Sequence, residues 1–597
     1  MKDLTPLTEI AGAKHPQYRV LIQPLPIALA LALLWQSVGA SAQTIPGSVD
    51  PGRVPQQFNP IPGPAPTPEV ISPQVPGEAP PTDLNGIRFT LQRLVVDGST
   101  VYSEAQLNPI YREWVGREVS LADIFRIAEK ITEKYRADGY PLCLAVLKAQ
   151  RISGGEVHIS IVEGFIDRVL IKGNKTPAIQ AYADRLVQSR PLRDHDLQRY
   201  LLLLNDLAGT QARAVLAASP DVNGASDLTI LIESRGVDFT ASVDNRGSRY
   251  VGPVQLIVEA ALNDQSGLSD RLSYRYVTTP FAPTEMRLLE LGYALPLGSD
   301  GVKLELTVDG NQSMPGSGLQ ASNLQTKGSG VSAGAKLAYA FLRSQRANLL
   351  ADISFDSRKA SFDQFSLPSM TRMRTSYEDR VRSLRAGLSY DAQDAWYGTD
   401  FIRLALSRGL PILDATPQGS LSNTSRPGGR SVFTRGSIDA SRIHNLNGVE
   451  PGLDLLTAVS LEWSFGQRLL ASEQFGVGGS QYGRGYDPSE LTGDFGAAAK
   501  MELQYEVPVS AAGKPHALQT HVFYDFGFVG DHSLGGAIPV SPNRSLASTG
   551  AGLQLTVSST LVTNFELTKP LTRPVAAYAQ RSQAKPLRAF IGLVARF

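Results

Sequence analysis

A transmembrane β-barrel of about 16 antiparallel strands, preceded by two small α+β units, is the fold this sequence predicts. Three observations predict it. From about residue 236 to Phe597 oily and polar side chains alternate, and helical spacing disappears. Ahead of that, two stretches each read strand, helix, helix, strand, strand. The N-terminus reads as an export signal, yet the rest of the chain offers no run of about 18 apolar residues that could cross a bilayer as a helix.

Of 597 residues, 42% are hydrophobic and 19% charged, with mean hydropathy -0.10, which excludes a helical membrane bundle and a disordered chain. Lys plus Arg (57) nearly cancels Asp plus Glu (56), so no large basic footprint exists and nucleic acid is not an expected partner. The single cysteine, Cys143, excludes an internal disulfide and any multi-thiolate zinc site. It reads as a small buried apolar residue.

Lys14 and Arg19 precede the apolar run Leu25 to Trp35, followed by Ala40-Ser41-Ala42. That order predicts a signal peptide over residues 1–42. Residues 43–85 follow as a proline-rich extended linker: between Thr44 and Pro81 lie 12 of the chain's 39 prolines. Such composition favours polyproline II and cannot bury enough apolar surface to order itself.

Residues 86–165 form the first α+β unit. Ile87 to Asp97 is strand-like, and Ser103 to Val115 helical. Ser120 with Asp123 is a capping-box start for a helix that places Ile124, Ile127, Ile131 and Tyr135 on one face and ends at Gly139. Leu142 to Ala149 and Glu156 to Val162 complete the sheet. Residues 166–235 repeat the pattern, with a strand at Ile166 to Lys172 and Pro177 at a helix start, where its missing N–H costs nothing. A second helix carries Leu197, Leu201 and Leu204, and strands Gln211 to Ala218 and Asp227 to Glu233 close the unit.

Residues 236–597 are assigned to the barrel. Lys303, Glu305, Thr307 and Asp309 interleave with Leu304, Leu306 and Val308, and Lys500, Glu502, Gln504 and Glu506 with Met501, Leu503, Tyr505 and Val507. A soluble sandwich would turn its polar face outward, whereas a membrane barrel turns its oily face to lipid. Length favours the barrel, at roughly 22 residues per strand with its connection. So does the amphipathic final stretch Arg588 to Phe597, which ends on an aromatic carboxyl terminus. Asn311 to Gly330 and Ala415 to Gly429 read as long surface loops.

This order of segments, with Tyr135 to Tyr140, Val162-Glu163-Gly164, and Asp244-Asn245-Arg246-Gly247-Ser248 with Gly252, resembles the two-partner secretion transporters (TpsB). These are the haemolysin-activator and filamentous-haemagglutinin exporters of the outer-membrane barrel-assembly superfamily. The resemblance implies that the paired units are polypeptide-transport-associated (POTRA) domains in the periplasm of a Gram-negative bacterium. It implies a monomeric barrel in outer-membrane lipid that passes one large unfolded β-rich exoprotein, adhesin or haemolysin-like, to the cell surface without ATP. A barrel-assembly insertase is the alternative; two POTRA units and the proline-rich spacer favour secretion.

Within that resemblance, Gly483-Arg484-Gly485-Tyr486 and Leu491-Thr492-Gly493-Asp494 are similar to the tip of a long loop that folds back into the pore. The family more often has Val where Gly483 stands. Phe523-Tyr524-Asp525-Phe526-Gly527 is similar to the barrel-strand motif whose aspartate receives the loop arginine. Independently, alternation from Gln519 to Gly527 points Asp525 into the lumen. A guanidinium reaching that carboxylate would form a forked, charge-assisted pair; the bland alternative is a solvated Arg484 and one lumen charge among many.

Gly330-Val331-Ser332-Ala333-Gly334 spells a nucleophile elbow, but the following Lys336 to Phe341 alternates like a strand, so no enzyme is expected. The seven histidines, His158, His195 and His521 among them, show no metal-ligand spacing, and no phosphate-binding loop is present. Neither metal nor cofactor is expected.

Overall fold

The computed structural model describes residues 47–59, 63–64, 86–315, 324–366, 369–373, 376–420, 423–511, 514–533, 543–576 and 585–597. The expected signal peptide, 1–42, and most of the expected linker lie outside them.

In the first α+β unit the capping box forms: Asp123 N–H donates to Ser120 Oγ at 3.2 Å and Ser120 N–H to Asp123 Oδ2 at 2.9 Å. The helix Leu121–Ala137 buries Ile124, Ile127, Ile131 and Tyr135 completely and stops before Gly139, which takes φ +88. Each such side chain contributes on the order of 1.5–3 kcal/mol. Cys143 is fully buried with them, and burial pushes its thiol up to about 11. Two strand assignments need correction. Ile87 to Asp97 breaks into Arg88–Thr90, paired with Glu118–Ser120, and Arg93–Asp97, paired in parallel with Glu156–Val162. Leu142 to Ala149 shrinks to the edge strand Leu144–Val146, because the Gln150 side chain takes the His158 carbonyl at 2.7 Å and the His158 N–H at 2.8 Å, where Lys148 would otherwise pair.

The sequence pair Tyr135 and Glu163 is a structural staple. Glu163 accepts from Thr100 N–H at 2.8 Å, Val101 N–H at 3.0 Å and Tyr135 OH at 2.9 Å, fixing the loop after Arg93–Asp97.

In the second unit Phe165–Gly173 runs parallel to Ala225–Ser234, which pairs antiparallel with the edge strand Thr210–Ala218. Thr176 caps the helix Pro177–Gln188 by accepting from Ile179 N–H at 3.2 Å. The helix Asp194–Asn205 buries Leu197, Leu201 and Leu204. Its far side docks on the barrel: Arg343 holds both oxygens of Asp206, at 2.8 and 2.7 Å, and Arg199 donates to the Asp300 carbonyl at 2.9 Å. Leu203 and Ala340 share one apolar cluster across this junction.

The barrel closes through sixteen antiparallel strands, from Val237–Asp244 to Arg588–Arg596, with a two-residue outlier, Thr371–Arg372, on the seventh. Closure decides which face is which. Leu306, Val308, Met501 and Val522 are exposed on the outer wall, while Glu305, Glu502 and Asp525 point inward. At the seam, Gly592 to Arg596 pair with Asp244 to Thr240. Asn245 locks one end of it, donating to the Ala589 carbonyl at 3.0 Å and accepting from Ile591 N–H at 2.8 Å. The stretch Asp244-Asn245-Arg246-Gly247-Ser248 therefore begins on the last residue of the first strand.

Two further expectations fail. Half of the supposed surface loop Asn311 to Gly330 is strand, because Val302–Ser313 pairs with Gly328 to Tyr339 of the strand Leu324–Arg343. The serine pattern runs straight through Leu324–Arg343, so the strand-turn-helix that an elbow needs is not formed. The proline-rich stretch is not wholly a solvated linker either. Residues 47–59 lie in the bore, at the end away from the second α+β unit, with Val49 and Val54 fully buried. The wall supplies the partners that composition could not foresee. Ser313 Oγ donates to the Val49 carbonyl at 3.0 Å, and Tyr377 OH to Asp50 at 2.7 Å.

Candidate functional site

The strand Lys514–Gly530 sets one wall of the site. Its alternation turns Phe523, Asp525 and Gly527 into the bore, with Asp525 fully buried, and leaves Val522 and Tyr524 exposed outside. Gly550 and Gly552 on the next strand leave the space that Phe523 and His521 fill. Opposite this wall the loop 464–494 leaves the far end of the barrel and folds back inside. Phe475–Val477 and Leu491–Gly493 form its antiparallel stem. Asp494, also fully buried, clasps the base, accepting from Leu469 N–H at 2.9 Å and His532 N–H at 2.8 Å and pairing with Arg426 of the loop 410–433.

At the tip, Arg484 meets Asp525 in the forked geometry: Nε to Oδ2 is 3.1 Å and Nη2 to Oδ1 3.0 Å. The backbone N–H groups of Gly483 and Arg484 add two more donors to Oδ2, at 3.2 and 2.9 Å. The guanidinium lies 3.4 Å from the centre of the Phe523 ring, so the aromatic of the motif supports the pair by cation–π contact. Gly483 adopts φ +84, a region that β-branched residues avoid, and a Cβ there would lie 2.6 Å from Leu546. This is a local reason for glycine at the position where valine is commoner. Gly527 leaves room for Val477 of the loop stem.

Gly485 N–H donates to Ser548 Oγ at 3.2 Å, and Tyr486, 2% exposed, donates to the Ala547 carbonyl at 3.2 Å and accepts from Arg573 N–H at 3.2 Å. All seven predicted residues, Gly483, Arg484, Gly485, Tyr486, Phe523, Asp525 and Gly527, thus meet at one place.

Several participants were missed. Glu502 pairs directly with Arg484, and Glu566 lies 3.6 Å from it. Arg588 of the last strand donates to the Gly485 carbonyl at 3.0 Å and to Asp487 at 2.6 Å. Asp487 accepts from Ser248, and Ser248 from Ser48, so the loop tip, the first loop and the N-terminal segment share one hydrogen-bonded chain. In sequence these residues look like any other lumen-facing polar groups, and only the register brings them together. A cavity of about 680 Å³, lined in part by Arg53, Arg358, Arg385, Arg435, Glu462 and Glu473, lies within the bore. Among the described residues no group of three or more His, Cys, Asp or Glu is placed to hold a metal.

The arrangement matches known proteins. The family described as haemolysin secretion/activation protein ShlB/FhaC/HecB matches residues 224–555, and the POTRA domain, ShlB-type, matches residues 89–164. The heme/hemopexin transporter protein HuxB of Haemophilus influenzae (strain ATCC 51907 / DSM 11121 / KW20 / Rd) is 22% identical over 508 residues, 81% of this chain and 84% of HuxB. The outer membrane transporter CdiB of Escherichia coli O6:K15:H31 (strain 536 / UPEC) is 23% identical over 434 residues, 70% of this chain and 69% of CdiB. Among solved structures, CdiB from Escherichia coli superposes with a TM-score of 0.69 at 19% identity, covering 88% of this chain and 93% of that one. BamA from Haemophilus ducreyi lacking POTRA domains 1-3 gives a TM-score of 0.51 at 15% identity, covering 86% and 100%, and so shares the fold. The chain therefore belongs to the haemolysin secretion/activation protein ShlB/FhaC/HecB family, the outer-membrane transporters of two-partner secretion.

Proposed function

We propose that this transporter receives one adhesin- or haemolysin-like exoprotein, unfolded, at its POTRA units and passes it through the bore as a monomer, without ATP or any catalytic step. It works with a secreted exoprotein partner from the outer membrane, its POTRA domains in the periplasm. The observation that carries the reading is the content of the bore. Residues 47–59 already lie there as a polypeptide segment whose polar groups are met by Ser313 and Tyr377 of the wall and by Gln481 of the inserted loop. A bore that solvates a stretch of backbone in this way suits a translocating chain of varied sequence.

Reception by strand addition is supported at one edge and opposed at the other. On Leu144–Val146, the outward Ala145 N–H is taken by Thr132. On Thr210–Ala218, Asn205 stops the edge at Ala212 with bonds of 2.9 and 3.1 Å. By strand parity Ala214 and Leu216 then turn their backbone groups outward, beside the exposed Val215, Leu231 and Leu170. This edge suits an extended client with apolar side chains. Arg484 and Asp525 would hold the loop across the bore until the client arrives.

The test is deletion of the chain from its cell. One large exoprotein should vanish from the medium while other outer-membrane proteins keep their amounts. A general loss of outer-membrane barrels would overturn the reading and favour insertion.

A further inference from the structure

Away from the Arg484 pair, the loop stem makes a second ionic contact with a different sector of the wall. A single 3-10 turn, Ala471–Glu473, carries Glu473, which is 1% exposed. Its carboxylate receives Arg385 at 3.1 Å to both oxygens, Arg358 at 3.4 Å and Arg435 at 3.4 Å. These arginines stand on the seventh, eighth and tenth strands, whereas the partners of Arg484 stand on the twelfth, thirteenth and fifteenth. The polarity is reversed: at the tip the loop brings the cation to acidic strands, and at the stem it brings the anion to basic ones. The same turn is held by the N-terminal segment. Arg53 donates to the carbonyls of Ala471 and Gln474, at 3.0 and 2.6 Å, and Gln56 to that of Ser472 at 2.8 Å.

We infer that Glu473 is a positioning residue of the pore. Seated on Arg358, Arg385 and Arg435, it fixes the loop stem across the bore and couples the loop to the N-terminal segment. The inference rests on the reading of the barrel as a secretion pore. Of the wall's own carboxylates, Asp356 pairs with Arg385 at 3.1 Å and Glu462 with Arg435 at 3.6 Å, so withdrawing Glu473 leaves three guanidinium groups facing two carboxylates and one cation uncompensated. Two anchors of opposite sign also resist a displacement that one anchor would allow as a pivot. Because Arg53 binds the carbonyls on either side of Glu473, displacing residues 47–59 removes two supports of the turn at once, and so weakens the stem's seat.

The experiment is single-channel recording of the full-length protein in planar bilayers, with heat-modifiable gel migration to report barrel assembly. Glu473→Gln keeps the shape and removes the charge; it should raise the opening frequency about tenfold or more, the usual gap between charge-assisted and neutral hydrogen bonds. Glu473→Arg should raise it further, and Glu473→Arg combined with Arg385→Glu should return it to within about threefold of the parent, a rescue that lost packing would not give. Arg53→Ala should also raise it, and adding Arg53→Ala to Glu473→Gln should fall short of the product of the two single effects. An unchanged frequency in Glu473→Gln, a charge swap that does not rescue, or effects of Arg53 and Glu473 that simply multiply would overturn the inference. Should Glu473→Gln not assemble, Arg358→Gln takes its place with the same expected direction. The recordings need no client, so they decide the anchor even if the deletion strain loses no exoprotein and the secretion reading falls.

Discussion

Truncating Asp525 to alanine removes the acceptor of four hydrogen bonds, two from the Arg484 guanidinium and two from the backbone of Gly483 and Arg484. Breaking a buried pair by removing one partner costs about 3–5 kcal/mol. Glu502 and Glu566 remain beside the cation, which places the loss towards the lower end, and the two orphaned N–H groups raise it again by about 1 kcal/mol or more each. At about 1.4 kcal/mol per tenfold, the undocked population of the loop should rise by roughly two to three and a half orders of magnitude. Ser548 reports this directly, because it is fully buried beneath Gly485. In a Cys143→Ala background, Ser548→Cys should react with a membrane-impermeant maleimide at least about 100-fold faster when Asp525→Ala is added. Asp525→Asn should give a smaller acceleration, about tenfold, because an amide oxygen at the Oδ2 position keeps three of the four bonds but not the charge. Export of the client should fall while the barrel still assembles. A labelling rate within about threefold of the parent, in an assembled barrel, would show that Tyr486 and Arg588 hold the loop without the ionic pair and would refute the reasoning.

Gly527→Ala would place a Cβ 2.9–3.1 Å from three side-chain atoms of Val477; the overpacking, about 1–3 kcal/mol, should accelerate the same labelling reaction about fivefold or more. Asn245→Ala should let the seam fray, because both bonds to the last strand go, and the temperature at which the barrel loses compact gel migration should drop by a few degrees. Burial works to raise the Glu163 carboxyl, but the donors Thr100, Val101 and Tyr135 outweigh it and hold it below the usual carboxylate range. A lowered folded value means that its stabilisation is complete above an unfolded pKa of about 4.3 and is lost as pH falls through the folded one. Hydrogen exchange should therefore show the Thr100 and Val101 amides losing protection below about pH 4 in the parent. In Glu163→Gln they should be less protected throughout, with no such step.

Much of the site was legible because its signals are local. Arg484 and Asp525 each sit in a short ordered motif, and two-residue alternation alone turns Asp525 inward, whatever the neighbouring strands do. Glu502 and Glu566 were not legible, since a lumen carboxylate in an alternating strand looks the same whether or not an arginine stands over it. The Glu473 anchor was invisible for a further reason. Its three arginines come from strands tens to more than a hundred residues away, and the turn that presents it has no periodicity to read.

The chain by itself determined the strand period, the two α+β units with their caps and buried helix faces, and the residues that can point inward. These depend on contacts a few residues apart, where backbone geometry and side-chain type are enough. Tertiary structure alone decided that residues 47–59 enter the bore and which edge of the α+β sheets stays open. Each of those outcomes turns on whether a polar group finds a partner. Thr132 supplies one for Ala145, Asn205 for Ala212, and Ser313 and Tyr377 for a proline-rich segment that composition would leave in water.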